Sequence, residues 1–133
     1  MALIARWASR DARLVTTVAI VDSGSSLSLF PVELALELGL EERDLTPSPH
    51  GAQGVEGSFE TWSASEPIWG RVLSGRPSGR ELWGQEFALR PLFSEHEVAL
   101  LGRWDFFRAF VITFEEDERA PRFHLDSHAR RAA

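Results

Sequence analysis

An almost unbroken apolar run, LVTTVAIV at residues 14–21, delivers the chain directly into Asp22-Ser23-Gly24-Ser25. β-Branched residues dominate the run, and a strand that ends in a continuous apolar stretch reads as buried on both faces. A carboxylate at the end of such a strand costs free energy unless it is hydrogen-bonded, paired or used in chemistry. Gly24 permits a backbone approach that a Cβ would block, and so can present its amide to the acid. Ser23 and Ser25 supply hydroxyls that could orient the carboxylate. The same four residues also describe an ordinary strand ending in a polar turn, and by themselves they leave both readings open.

The flanking sequence predicts a mainly β protein. Residues 3–8 and 13–21 are two apolar runs around Ser9-Arg10-Asp11, the pattern of a hairpin. Beyond the acid, alternation resumes through Ser26-Leu27-Ser28-Leu29-Phe30. Pro31 suits the first turn of a helix with Val32, Ala35, Leu36 and Leu40 at helical spacing and Gly39 as its stop. Residues 43–58 (RDLTPSPHGAQGVEGS) read as a long loop or a mobile hairpin. Strands are expected around residues 59–62, 68–73 and 82–89, with a flexible turn over 74–79. Residues 98–101 (VALL) make a short apolar strand closed by Gly102. A short helix follows, begun by Asp105 and carrying Phe106, Phe107 and Phe110 on one face. A strand over 111–114, an acidic turn over 115–118 and a last strand over 122–125 complete the pattern. No linker divides the chain. Residues 1–126 are therefore read as one all-β domain with two short helices, and 127–133 as a disordered tail.

Composition narrows the chemistry. There is no cysteine, which excludes disulfides, thiolate metal sites and cysteine nucleophiles, and no lysine, which excludes Schiff-base chemistry. A net charge of -6 argues against nucleic acid as a partner, since such binding needs a basic face. No apolar run approaches the roughly 20 residues of a membrane span. The start, MALIARWASRD, lacks the pattern of a signal peptide, so a cytoplasmic location with no membrane association is expected. His124 and His128 have an i,i+4 spacing but no third ligand in view, and no metal or other cofactor is expected. His50 and His96 stand alone and read as surface residues.

The segment VAIVDSGSSLSLFPVELALELGL resembles the active-site segment of retropepsin-like aspartic proteases, in which an apolar strand delivers Asp-[Ser/Thr]-Gly-[Ala/Ser] and then a helix ending Leu-Gly-Leu. A second stretch, ALLGRWDFFRAFVITFEED, is similar to the apolar-apolar-Gly turn and helix of cellular and bacterial members. Between them, Gly54-Val55-Glu56-Gly57 stands where such proteins carry a glycine-rich flap. The resemblance spans residues 13–116. It implies a closed β-barrel of the acid-protease fold, with Asp22 as the catalytic acid and Ser23 bonding to backbone across a dimer axis. By the same likeness Gly24 would contact substrate backbone, and Ser25 would bond the outer oxygen of Asp22. Leu100, Leu101 and Gly102 would form the turn packed beneath the active-site loop, and the residues from Gly54 to Gly57 would close over a peptide.

Peptide hydrolysis by this route needs two carboxyls, one taking a proton from water and one protonated to polarise the scissile carbonyl. The chain has one Asp-Ser-Gly, so the expected enzyme is a homodimer acting on peptide or unfolded protein. Two features depart from the pattern. Ser26 stands where retroviral members usually carry an acid, which puts the partner role of Arg103 in doubt. The chain also starts close to its first hairpin, so the element sealing a dimer is open between the strand at 111–114 and the last strand. The competing function is a binding or assembly module that keeps the fold with little turnover.

Overall fold

The computed structural model describes residues 1–8, 12–48, 52–54, 57–75, 79–116 and 122–128, with the backbone alone at 52–54 and 57–58. The elements as far as residue 59 are β1 (Ala2–Ile4), β2 (Val15–Thr16), β3 (Ile20–Val21), β4 (Leu29–Pro31), α1 (Val32–Glu37), β5 (Leu45–Pro47), β6 (Ala52–Gly54) and β7 (Gly57–Phe59). After it come β8 (Trp62–Ala64), β9 (Ile68–Ser74), β10 (Glu81–Leu89), β11 (Leu92–Ser94) and β12 (Leu100–Leu101). The chain closes with α2 (Phe106–Ala109), β13 (Phe110–Glu115) and β14 (Arg122–Ser127). The protein is mostly β with two short helices, as its residue patterns predict.

Two main sheets carry the fold. One has the order β10-β9-β1-β2 and is antiparallel throughout. The other has the order β3-β12-β4-β11-β8-β5 and mixes directions, with β12 parallel to β3 and antiparallel to β4. Two hairpins stand beside them, β6 with β7 and β13 with β14. No closed barrel is found among the described residues; the two main sheets end in open edges at β10, β2, β3 and β5. The predicted first hairpin is formed, with Leu3 opposite Val15, although its turn at Ser9-Arg10-Asp11 lies outside the described residues.

One buried cluster joins the sheets. Leu3, Ile68 and Leu89 come from the first sheet, Phe30, Phe93 and Leu101 from the second, and Leu34, Leu38 and Phe106 from the helices. Phe30 meets Phe93 edge-on at 6.2 Å, while Phe87, Phe106 and Phe110 pack with centroids 5.1–5.6 Å apart. Burying a side chain of this size contributes about 1.5–3 kcal/mol. Among the described residues no helix is long and apolar enough to cross a membrane.

Three local expectations are corrected. The run at 14–21 is not one strand buried on both faces. It changes sheets at residues 17–19, running from β2 to β3, and leaves Leu14, Val18 and Ile20 at 67%, 84% and 54% exposure. Each half is an edge strand, so neither gains a neighbour on its outer side. In α1 the inward face is Leu34, Ala35 and Leu38, while Leu36 points out; Gly39, with φ 93°, ends the helix as expected. Finally, α2 stops after one turn, and Phe110 begins β13 instead of sharing the helix face.

Candidate active site

Asp22 sits where β3 ends. The Ile20 amide donates to the Ala99 carbonyl at 2.8 Å and the Asp22 amide to the Leu101 carbonyl at 3.0 Å, so the acid enters its turn on the last rung of the ladder with β12. The turn closes with the Ser25 amide donating to the Asp22 carbonyl at 3.2 Å. The Gly24 amide donates to Asp22 Oδ1 at 3.0 Å, the arrangement its position predicts. A Cβ on Gly24 would lie 3.2 Å from that same oxygen, tight enough to disturb the bond. Asp22 is half-buried, and its other carboxylate oxygen makes no hydrogen bond among the described residues.

The turn rests on β12, which is inserted between β3 and β4, with Leu100 opposite both Ile20 and Leu29. Gly102 then passes against the backbone of the Asp22 loop. A Cβ there would fall 2.3 Å from the Leu27 carbonyl carbon and 2.8 Å from the Ser28 nitrogen, so only glycine fits. Further bonds lace the two segments together, with the Arg103 amide donating to the Ser25 carbonyl at 3.0 Å and the Trp104 amide to the Ser26 carbonyl at 2.9 Å. Leu100, Leu101 and Gly102 thus pack against the segments on either side of the acid's turn.

Beneath them lies a residue the sequence reading passed over. Ser28 is fully buried, accepts from the Gly102 amide at 2.9 Å and donates to Asp105 Oδ1 at 2.6 Å. Asp105 also accepts from the Phe106 amide at 2.7 Å, capping α2, and from the Arg90 amide at 3.0 Å. One hydroxyl and one carboxylate therefore tie β4, β12, α2 and the start of β11 into a single frame under Asp22. The signal was present: Ser28 shares the parity of Phe30, and it is Ser28 and Phe30, not Leu27 and Leu29, that are buried.

Other expected site residues fare differently. The Ser25 hydroxyl donates to the Leu27 carbonyl at 2.6 Å and does not reach Asp22, a correction to its expected role. Its backbone is already turned toward the Asp22 carbonyl, and serine hydroxyls readily take a carbonyl close by in the chain. Ser23 is exposed, and its hydroxyl makes no hydrogen bond among the described residues. Gly54 and Gly57 face each other across the β6–β7 hairpin, while Val55 and Glu56 lie outside the described residues. Arg103 and Trp104 are exposed, Trp104 at 58%. His124 lies on a strand beside Glu115, His96 packs against Phe59, His128 meets the Arg108 carbonyl, and His50 lies outside the described residues.

The arrangement offers one oriented, solvent-accessible carboxylate on a hydrogen-bonded turn, with no basic side chain bonded to it among the described residues. It can share or exchange a proton with a group brought to its open side. Comparison of the chain with protein-family models, with characterised proteins and with solved structures found no match.

Proposed function

We propose that the chain is one protomer of a homodimeric aspartic endopeptidase, in which Asp22 and its symmetry mate activate a water between them. The observation that carries this reading is the Asp22 turn itself: a strand-end carboxylate gripped by the Gly24 amide, seated on an inserted strand, with one oxygen open. The reading takes with it an acid-protease fold, which the mainly β architecture and the seating of Gly102 against Leu27 support.

Two such carboxyls about 3 Å apart cannot both ionise easily, so the pair holds one proton over a wide acidic range. The charged member takes a proton from water as it attacks the peptide carbonyl; the protonated member donates to that carbonyl's oxygen. The substrate is extended peptide or unfolded protein, and the reaction calls for no metal or organic cofactor. Incubation with a denatured protein at acid pH tests the assignment. Asp22→Asn removes proton transfer without changing shape, and is expected to lower cleavage by roughly 10²–10⁴-fold with the folded spectrum unchanged. Undiminished cleavage by that variant overturns the reading.

The Ser25 hydroxyl, turned to Leu27 and away from Asp22, favours a second reading: a peptide-binding or assembly module with little turnover. It predicts binding of unfolded protein with no release of fragments.

A further inference from the structure

β3 is bonded on one side only, to β12. The Ile20 and Asp22 amides both point to β12, so by the alternation of a ladder the Val21 amide and carbonyl point away from it. On that side Val21 makes no hydrogen bond among the described residues, and Ala19 makes none at all. The whole stretch from residue 12 to residue 48 is described, so both flanks of this edge are in view. Val21 and its strand partner Leu101 share a face, and there lies a cleft of about 290 Å³. It is lined by Thr17, Ala19 and Val21 along the edge, and by Leu101, Phe106 and Leu125. Arg80 is the one charged side chain among the described residues of that lining; no Asp or Glu joins it there, and it has no ion pair among the described residues. Burial, and after it the Arg80 charge, holds the pKa of the Met1 amine below its ordinary range. That amine donates to the Thr17 carbonyl at 2.8 Å, so Arg80 stands at the Thr17 end of the edge.

We infer that this edge takes up an extended apolar peptide, added as a strand antiparallel to residues 18–21 with its terminal carboxylate toward Arg80. Strand addition gives the Val21 amide and carbonyl the partners they lack, and it needs no rearrangement of the sheet. Every second side chain of the added strand falls on the face of Val21 and drops into the cleft. The walls there are apolar, so those positions call for valine, leucine or their like. The intervening side chains face the other way, beside Val18 and Ile20, which are 84% and 54% exposed and tolerate polar neighbours. Charge sets the direction. A lining with one arginine and no acid favours a carboxylate over an amine at the Thr17 end, so the peptide runs from Val21 toward Thr17. The inference goes beyond the reading of Asp22 and does not rest on it, because uptake of a strand here involves no chemistry at the acid.

Calorimetric titration of the Asp22→Asn chain, which keeps cleavage out of the readout, tests the inference. The probe is an acetylated peptide of about six residues, valine alternating with serine, ending in a free carboxylate. N-methylation of one alternate set of its amides blocks the side that faces the edge, and is expected to weaken binding about tenfold or more. Methylation of the other set should leave binding unchanged. Capping the carboxylate as an amide should weaken binding about threefold, and should cost nothing once Arg80→Gln is added. The Arg80→Gln chain should bind the amide as well as its parent does, which a misfolded variant could not. Methylated sets that bind alike overturn the inference; so do acid and amide that bind alike, and so does an absence of binding. A chain that self-associates and is dispersed by the probe carries a second copy on this edge, which overturns the peptide as its occupant. None of these outcomes bears on cleavage by the unaltered chain, so the endopeptidase reading stands or falls separately.

Discussion

The Asp22 turn and the β13–β14 hairpin handle their polar and apolar groups in opposite ways. Around Asp22, the amides of Gly24, Ser25, Gly102, Arg103 and Trp104 and the hydroxyls of Ser25 and Ser28 all find partners within the chain. The hairpin is anchored at one end, where Phe110 packs against Phe87 and Phe106 and where His128 meets the Arg108 carbonyl at 2.8 Å. Its other end holds two exposed phenylalanines and surface ion pairs of Glu115 with Arg122 and His124. Buried polar groups are costly when unpaired, so these amides and hydroxyls are satisfied within one chain. Two exposed rings are tolerable on a surface, so the hairpin's far end needs no such closure.

If this contrast is right, substitutions in the turn strike folding and substitutions at the exposed end of the hairpin leave stability nearly unchanged. The largest effect is expected from Gly102→Ala. Its Cβ meets backbone at 2.3 Å, which no rotamer change relieves, and the loss should be about 3 kcal/mol or more in a denaturant titration. A stability close to that of the wild type would mean the two segments are less tightly apposed than described. Next comes Ser28→Ala. It strips the Gly102 amide and Asp105 Oδ1 of a buried partner, and a loss of about 1–3 kcal/mol is expected. Threonine at the same position keeps the hydroxyl and should recover part of that loss. Smallest in stability terms is Phe123→Ser. The ring is already 43% exposed, and the free energy of unfolding should change by less than about 1 kcal/mol. Should Phe123→Ser destabilise the chain as much as Ser28→Ala, the hairpin is part of the core and the contrast collapses.

Much of this was legible in the residues. Gly24 beside a strand-end acid announces an amide turned to a carboxylate, because only a residue without a Cβ allows that approach. Asp105 before a phenylalanine-rich turn announces a cap, because its short side chain reaches the first free amide of the helix. Gly39 announces a helix stop through its positive φ. Each of these is settled within a few residues of chain.

The remainder was decided by partners far away in sequence. Hydropathy marks LVTTVAIV as apolar but cannot say that the chain changes sheets at residues 17–19, since strand neighbours come from β1 and β12. The inward parity of Ser28 follows from Gly102, 74 positions on, whose amide needs an acceptor where no side chain fits. The direction of the Ser25 hydroxyl depended on how tightly its own turn closed. Local sequence thus determined which residues could bend, cap or present a charge, because those properties belong to single residues and their nearest neighbours. Which side of a strand met the core, and which edge was left open, depended on long-range pairing, because burial is a property of two surfaces and the chain writes down only one at a time.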